Sequence, residues 1–216
     1  RVREAGCTTS EGFDKFAITY ERCWHLDRES DQADCAWLLC YSLRPKMVHS
    51  GVTCTDMCVI GKAGVGPIAE AQVRFALMVS KHQQMEGLGA SLEQPKGSVL
   101  FSLKNVVHLF GTPETPRPEW GFYRLEACQL GMKYPGKDDP GAPIQKAQVW
   151  ISNIDLSSME LRCRHPSSLC GATHEHRHAR GAMCVPGYGW CNVAAYTGKY
   201  TAELGSVYAK AVRNFC

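Results

Sequence analysis

The sequence lacks most of the signatures that would name a function outright. It has no C-x-x-C pair, the short knuckle that structural zinc sites usually bring. It has no G-x-S-x-G elbow, so the common hydrolase nucleophile turn is excluded. Only four Asn occur (Asn105, Asn153, Asn192, Asn214), and none begins an N-x-Ser/Thr acceptor. No apolar run approaches the roughly 20 residues that a membrane helix needs, so no span is expected. No block of like charge stands out. The formal net charge is +3, and signs alternate as in Asp27-Arg28-Glu29. Nucleic-acid binders concentrate Lys and Arg on one face, so a nucleic-acid partner is not expected. Gly61-Lys62-Ala63-Gly64-Val65-Gly66 is glycine-rich, but its order fits neither phosphate-binding loop. The chain opens on Arg1 with no charged-then-apolar leader, as a mature secreted form would.

What is abundant is cysteine, 12 in 216 residues. An even count without zinc knuckles reads as disulfides, hence an oxidising, extracellular location. The expected bridge-formers are Cys7, Cys23, Cys35, Cys40, Cys54, Cys58, Cys128, Cys163, Cys170, Cys184, Cys191 and Cys216. Their pairing is open, because six cysteines alone allow about 15 connectivities. They fall into two groups of six, which leaves Val59–Ala127 free of cysteine. A single domain over 1–216 is therefore expected, with cysteine-rich ends 1–58 and 128–216 around a β core over 59–127.

The core reading comes from period-2 alternation. Val73, Phe75, Leu77 and Val79 alternate within Gln72–Ser80, and Val99, Phe101 and Leu103 follow. The runs Phe16–Tyr20, Phe122–Leu125, Gln148–Ile151 and Met159–Cys163 read as further strands. Proline and glycine breaks at Thr112–Pro118 and Tyr134–Gly141 read as loops. Short strands between such breaks predict a mainly β protein, a disulfide-stapled antiparallel β-sandwich or jelly roll. One or two short helices are expected. Asp31–Tyr41 is the first, and Pro67–Gln84 competes with the strand at Gln72–Ser80.

The strongest local feature is His174-Glu175-His176-Arg177-His178. On a strand His174, His176 and His178 share a face and could offer three imidazoles to zinc or copper. The bland alternative is an exposed loop, with Gly171 and Gly181 flanking the stretch. Arg177 and Arg180 lie in it, and Tyr188 and Trp190 follow. With Trp120, next to the proline-rich loop, these are candidate recognition anchors. Asp138 and Asp139 are too small an acidic set to define a calcium site.

No catalytic constellation is complete. The sequence therefore reads as a secreted binding or extracellular assembly protein, not an enzyme, with no cofactor expected. Its partner would be a protein or glycan, or further copies in an assembly. The competing reading is a zinc or copper protein that uses the histidine cluster.

Overall fold

The computed structural model describes residues 13, 19–53, 57, 65–161, 163, 176–179, 181–185, 189–193 and 200–215. Their elements, in chain order, begin with α1 (Glu29–Trp37), a π-helical turn (Leu38–Leu43), β1 (Met47–Gly51), α2 (Pro67–Met85) and β2 (Gly89–Pro95). A 3-10 turn (Val99–Ser102), α3 (Lys104–Phe110), β3 (Gly121–Glu126), a 3-10 turn (Ala127–Leu130), β4 (Ile144–Gln145) and β5 (Ala147–Ser152) follow. A 3-10 turn (Ser157–Met159), β6 (Arg177–His178), β7 (Ala182–Val185), β8 (Gly189–Asn192) and α4 (Ala202–Phe215) complete the order.

The first element is a helix because Asp31–Trp37 lacks Gly and Pro, and Glu29 and Asp31 sit at the positive end of its dipole. It runs into the π turn, which closes on Arg44 in the left-handed conformation (φ 43°, ψ 55°). Pro67 starts α2, where its fixed φ suits the helix and its missing N–H costs no bond.

The strand expected at Gln72–Ser80 is instead the middle of α2, 19 residues long. Ala69, Val73, Ala76, Ser80 and Gln83 recur every three or four residues, and all are buried. The alternation arose because α2 is covered on two sides. Val73, Ala76 and Leu77 join one apolar cluster, whereas Phe75 and Val79 pack with Trp24, Cys35 and Leu39 in another. A broad buried stripe thus mimicked a period of two.

The alternation over Val99, Phe101 and Leu103 also misled. The Ser98 hydroxyl accepts the Leu100 N–H at 3.2 Å and starts a 3-10 turn, and Leu103 then leads into α3. Met159–Cys163 forms no strand among its described residues, since Met159 ends a 3-10 turn. Most of Phe16–Tyr20 lies outside the described residues. The strands at Phe122–Leu125 and Gln148–Ile151 form as β3 and β5, and Trp150 is buried in β5.

The fold is therefore mixed α and β, and no antiparallel sandwich or jelly roll forms among the described residues. The largest sheet has four strands in the order β1-β2-β5-β3. β1 and β2 are parallel, with Met47 opposite Gly89 and Gly51 opposite Glu93. A parallel pair needs a crossover, which α2 supplies. The helix expected as the competitor over Pro67–Gln84 is thus the element that forms, and it carries this crossover.

The chain divides into two compact units. One, here the sheet unit, comprises Thr8–Phe122, Val149–Asp155 and Asn214–Cys216. Its main cluster joins Ala69, Val73 and Leu77 of α2 to Leu92, Leu100, Val106, Phe110, Trp120 and Ile151. The other, the thiol unit, comprises Arg1–Cys7, Tyr123–Gln148 and Leu156–Arg213. Ala127, Met132, Tyr134, Ile144, Met183, Val185 and Val193 form its cluster. There β4 pairs parallel with β6, and β7 pairs antiparallel with β8.

The disulfide framework also needs correction. Cys23, Cys35, Cys40, Cys128, Cys184 and Cys191 are free thiols, and no two described cysteines lie at bonding distance. Cys163 is not among these free thiols. Cys7, Cys54, Cys58, Cys170 and Cys216 lie outside the described residues. The free thiols sit in ordinary packing. Cys35, for example, is buried in the Trp24 cluster, and burial pushes its thiol up to about 12. With these thiols free, cysteine number no longer supports a secreted, extracellular protein.

One half-buried base carries a stability prediction. His49 on β1 lies opposite Ser91 on β2, and its Nδ1 is 2.9 Å from the Ser91 hydroxyl. Its ring stacks on Trp150 at 4.5 Å, across the small serine. Burial lowers the imidazole to about 4 from the ordinary 6.5. The unfolded chain then takes up a proton that the folded chain refuses. The neutral ring's contribution is complete above pH 6.5 and is lost as pH falls through about 4. Because the residue is half-buried overall, we expect a loss of about 1–3 kcal/mol over that window. Urea titrations at pH 7 and pH 4.5 check it, and His49→Gln should flatten the difference.

Candidate thiol and imidazole centre

One group of metal-capable side chains stands out among the described residues: Cys128, Cys163 and His176, with ligand atoms all within 4.8 Å of one another. The Cys128 thiol is 3.0 Å from the Cys163 sulfur, and His176 Nε2 is 3.3 Å from that same sulfur. Cys163 is buried, and the other two are half-buried.

Local structure explains the convergence. The last residue of β3, Glu126, donates its N–H to the Leu161 carbonyl at 2.8 Å. Two residues beyond each end of that bond come Cys128 and Cys163, so one backbone link brings the sulfurs side by side. Cys128 rides on the 3-10 turn Ala127–Leu130, which is pinned by the Ala127 N–H on the Lys146 carbonyl at 2.8 Å.

His176 precedes β6, which pairs with β4 through Ile144↔Arg177. The Arg177 N–H reaches the Pro143 carbonyl at 2.9 Å. The Arg177 guanidinium bonds Asp138, lies 3.4 Å from Asp139 and stands over the Tyr134 ring at 4.9 Å. Tyr134 donates its hydroxyl to Asp138 at 3.0 Å. The acidic pair is thus spoken for by an arginine, and the same anchor fixes the approach of His176.

The electrostatics favour a neutral thiol at rest. Burial pushes the Cys128 thiol up, a bond from Gln129 opposes this, and the Glu126 carboxylate adds to it. The Gln129 amide points at both sulfurs, 3.9 Å from Cys128 and 3.7 Å from Cys163. Glu126 is itself buried and paired with Arg124. A metal ion would displace the Cys128 thiol proton, whereas the bare thiol is a poor nucleophile.

The histidine cluster does not form as a three-imidazole set among the described residues. His176 joins the two cysteines, His178 is exposed on β6, and His174 lies outside the described residues. The same five residues also spell H-E-x-x-H, a spacing that sets two histidines one turn apart on a helix. Arg177 and His178 are extended, so that helical face is absent there.

Of the recognition anchors, Trp120 is buried with its ring edge-on to Phe110 at 4.5 Å, and Arg177 is held by Asp138 and Asp139. Trp190 is 77% exposed on β8. Arg180 and Tyr188 lie outside the described residues.

Reading the sequence alone missed Cys128 and Cys163 as ligands. They are 35 residues apart and form no knuckle, so nothing local distinguishes them from bridge cysteines. No helix among the described residues is long and apolar enough to cross a membrane. No protein-family model, curated protein or solved structure matches this chain.

Proposed function

We propose that this is a metal-binding protein that holds one zinc or copper(I) ion through Cys128, Cys163 and His176 when Cys163 carries a thiol. The observation that supports this reading is the meeting of two sulfurs and one imidazole nitrogen from three separate segments within 4.8 Å. Thiolate and imidazole together suit zinc, and thiolate suits copper(I). Three protein ligands leave a fourth position for water or a small ligand, as in open zinc sites.

The spacing sets what loading must do. Two sulfurs bound to one tetrahedral zinc at about 2.3 Å stand about 3.8 Å apart. Here they are 3.0 Å apart. Loading therefore spreads them by less than about 1 Å, a shift that the short turn carrying Cys128 can absorb.

The test is metal content and spectrum. Protein reduced with a dithiol, then freed of reductant and titrated with zinc, is expected to bind one equivalent. Cobalt in place of zinc should give a thiolate charge-transfer band. Cys128→Ser is expected to weaken binding by at least about 100-fold, above the 10–100-fold typical of losing a mere supporting group. No zinc uptake by protein whose Cys163 is shown to be reduced would overturn the reading. So would equal uptake by the Cys128→Ser/Cys163→Ser double variant, since other free thiols would then be the ligands.

A further inference from the structure

We infer that Gln129 is a positioning residue of this centre: its side-chain amide holds both sulfurs and lowers the donor strength of the thiolates that bind the metal. The inference rests on the metal-binding reading above. The Gln129 amide nitrogen lies 3.9 Å from the Cys128 sulfur and 3.7 Å from the Cys163 sulfur. An amide nitrogen carries two N–H donors, one for each sulfur. A thiolate accepts hydrogen bonds and cannot donate one, so the nitrogen end of the amide suits the loaded state.

Local structure puts the amide there. Gln129 follows Cys128 on the 3-10 turn Ala127–Leu130. The Met132 N–H on the Ala127 carbonyl at 3.1 Å closes that turn, next to Gly131 in the left-handed conformation. The side chain therefore reaches back to one sulfur and across to a second, 34 positions further along the chain. Gln129 is exposed and lies outside the apolar cluster of its unit, so exchanging its side chain leaves that packing untouched.

A hydrogen bond to a metal-bound sulfur draws on its lone pairs, which stabilises the thiolate and weakens it as an electron donor. The Glu126 carboxylate works the other way, because its charge opposes a thiolate on Cys128. The backbone N–H groups of Cys128 and Gln129 assist at the Cys128 sulfur. At rest the Cys128 thiol itself faces the Cys163 sulfur as a donor, 3.0 Å away. A metal ion removes that thiol proton. The Gln129 amide then remains in reach of both sulfurs as the donor they share.

The experiment uses cobalt as the spectroscopic probe in full-length protein, reduced with a dithiol and freed of reductant. Spectra are recorded at saturating cobalt, and zinc affinity is read by competition against a chromophoric chelator. Gln129→Leu and Gln129→Glu both remove the N–H donors, and Gln129→Glu keeps the shape. Both are expected to move the thiolate-to-cobalt band to longer wavelength. Both should also weaken zinc binding by about 10-fold, the low end for a supporting group because Gln129 is exposed. Gln129→Lys keeps a donor and is expected to hold the band at the wild-type wavelength or shorter. An unmoved band in Gln129→Leu or Gln129→Glu would overturn the inference and leave the metal reading intact. The same long-wavelength shift in Gln129→Lys would also overturn it, since shape and not hydrogen bonding would then matter. No cobalt band and no zinc uptake by the reduced wild-type protein would overturn the underlying metal reading instead.

Discussion

Replacing Phe110 with alanine is expected to destabilise the sheet unit by about 3–5 kcal/mol. Phe110 ends α3 with none of its surface exposed. Its ring meets Trp120 edge to face, 4.5 Å between centroids and 73° between planes. The truncation removes the transfer energy of a full aromatic ring. It also removes that edge contact, which is worth about 0.5–1.5 kcal/mol beyond the area buried. The backbone around it is pinned by the Arg117 N–H on the Phe110 carbonyl at 2.8 Å and the Gly111 N–H on the Val107 carbonyl at 2.9 Å. The cavity therefore has little freedom to collapse, which places the cost towards the upper end. Urea denaturation followed by tryptophan fluorescence measures it. A loss below about 1 kcal/mol would mean that this corner is not the packed centre described.

Gly111→Ala is expected to cost at least about 3 kcal/mol, although it adds one methyl group. Gly111 sits at φ 83°, ψ −156°, a region reserved for glycine. A Cβ there would collide with the Thr115 carbonyl oxygen and come within 2.7 Å of the Arg117 nitrogen and 2.9 Å of the Pro116 carbonyl carbon. These are backbone atoms of a tight turn. Thr112 and Thr115 exchange both N–H bonds at 3.1 Å, so the turn cannot open without losing them. Gly87→Ala is the control. Gly87 has φ 66° but nothing within 4 Å of a new Cβ, so only the left-handed penalty of about 1–2 kcal/mol applies. Thermal or urea melts of the two variants side by side separate strain with collision from strain alone. Similar losses would contradict the crowded turn.

What could be read from the residues was the chemistry that acts within a few positions. β3 and β5 were legible because aromatic and β-branched residues cluster there. The helix at Asp31–Tyr41 was legible as an unbroken run without Gly or Pro, though not its π-helical second half. The helix at α2 carried a start signal in Pro67 but was masked by the alternation, because two separate clusters share it and their residues interleave in sequence. The parallel pairing of β1 and β2 followed it out of sight, since only a helix between them implies a crossover. The centre was legible only at His176. Its partner Cys163 lies 13 residues before it and Cys128 a further 35 before that, brought in through one backbone bond and one arginine anchor. An even cysteine count says nothing about which thiols stay unpaired, because that is decided by where the backbone carries them.

The parallel pairing of β1 and β2 has a consequence for synthesis. A strand with a hairpin partner finds it within a few residues, but Met47 must wait for Gly89, 42 positions later (89 − 47). Until α2 has been made and has turned the chain back, β1 emerges with its edge unsatisfied on both sides. β5, next to β2 in the sheet, comes later still. Loop closure over such spans comes before any contact that rewards it, so assembly of this sheet is slow and late. The nascent chain therefore spends its early life with a sticky strand in the open, which is the interval when a chaperone that shields extended apolar segments would matter most.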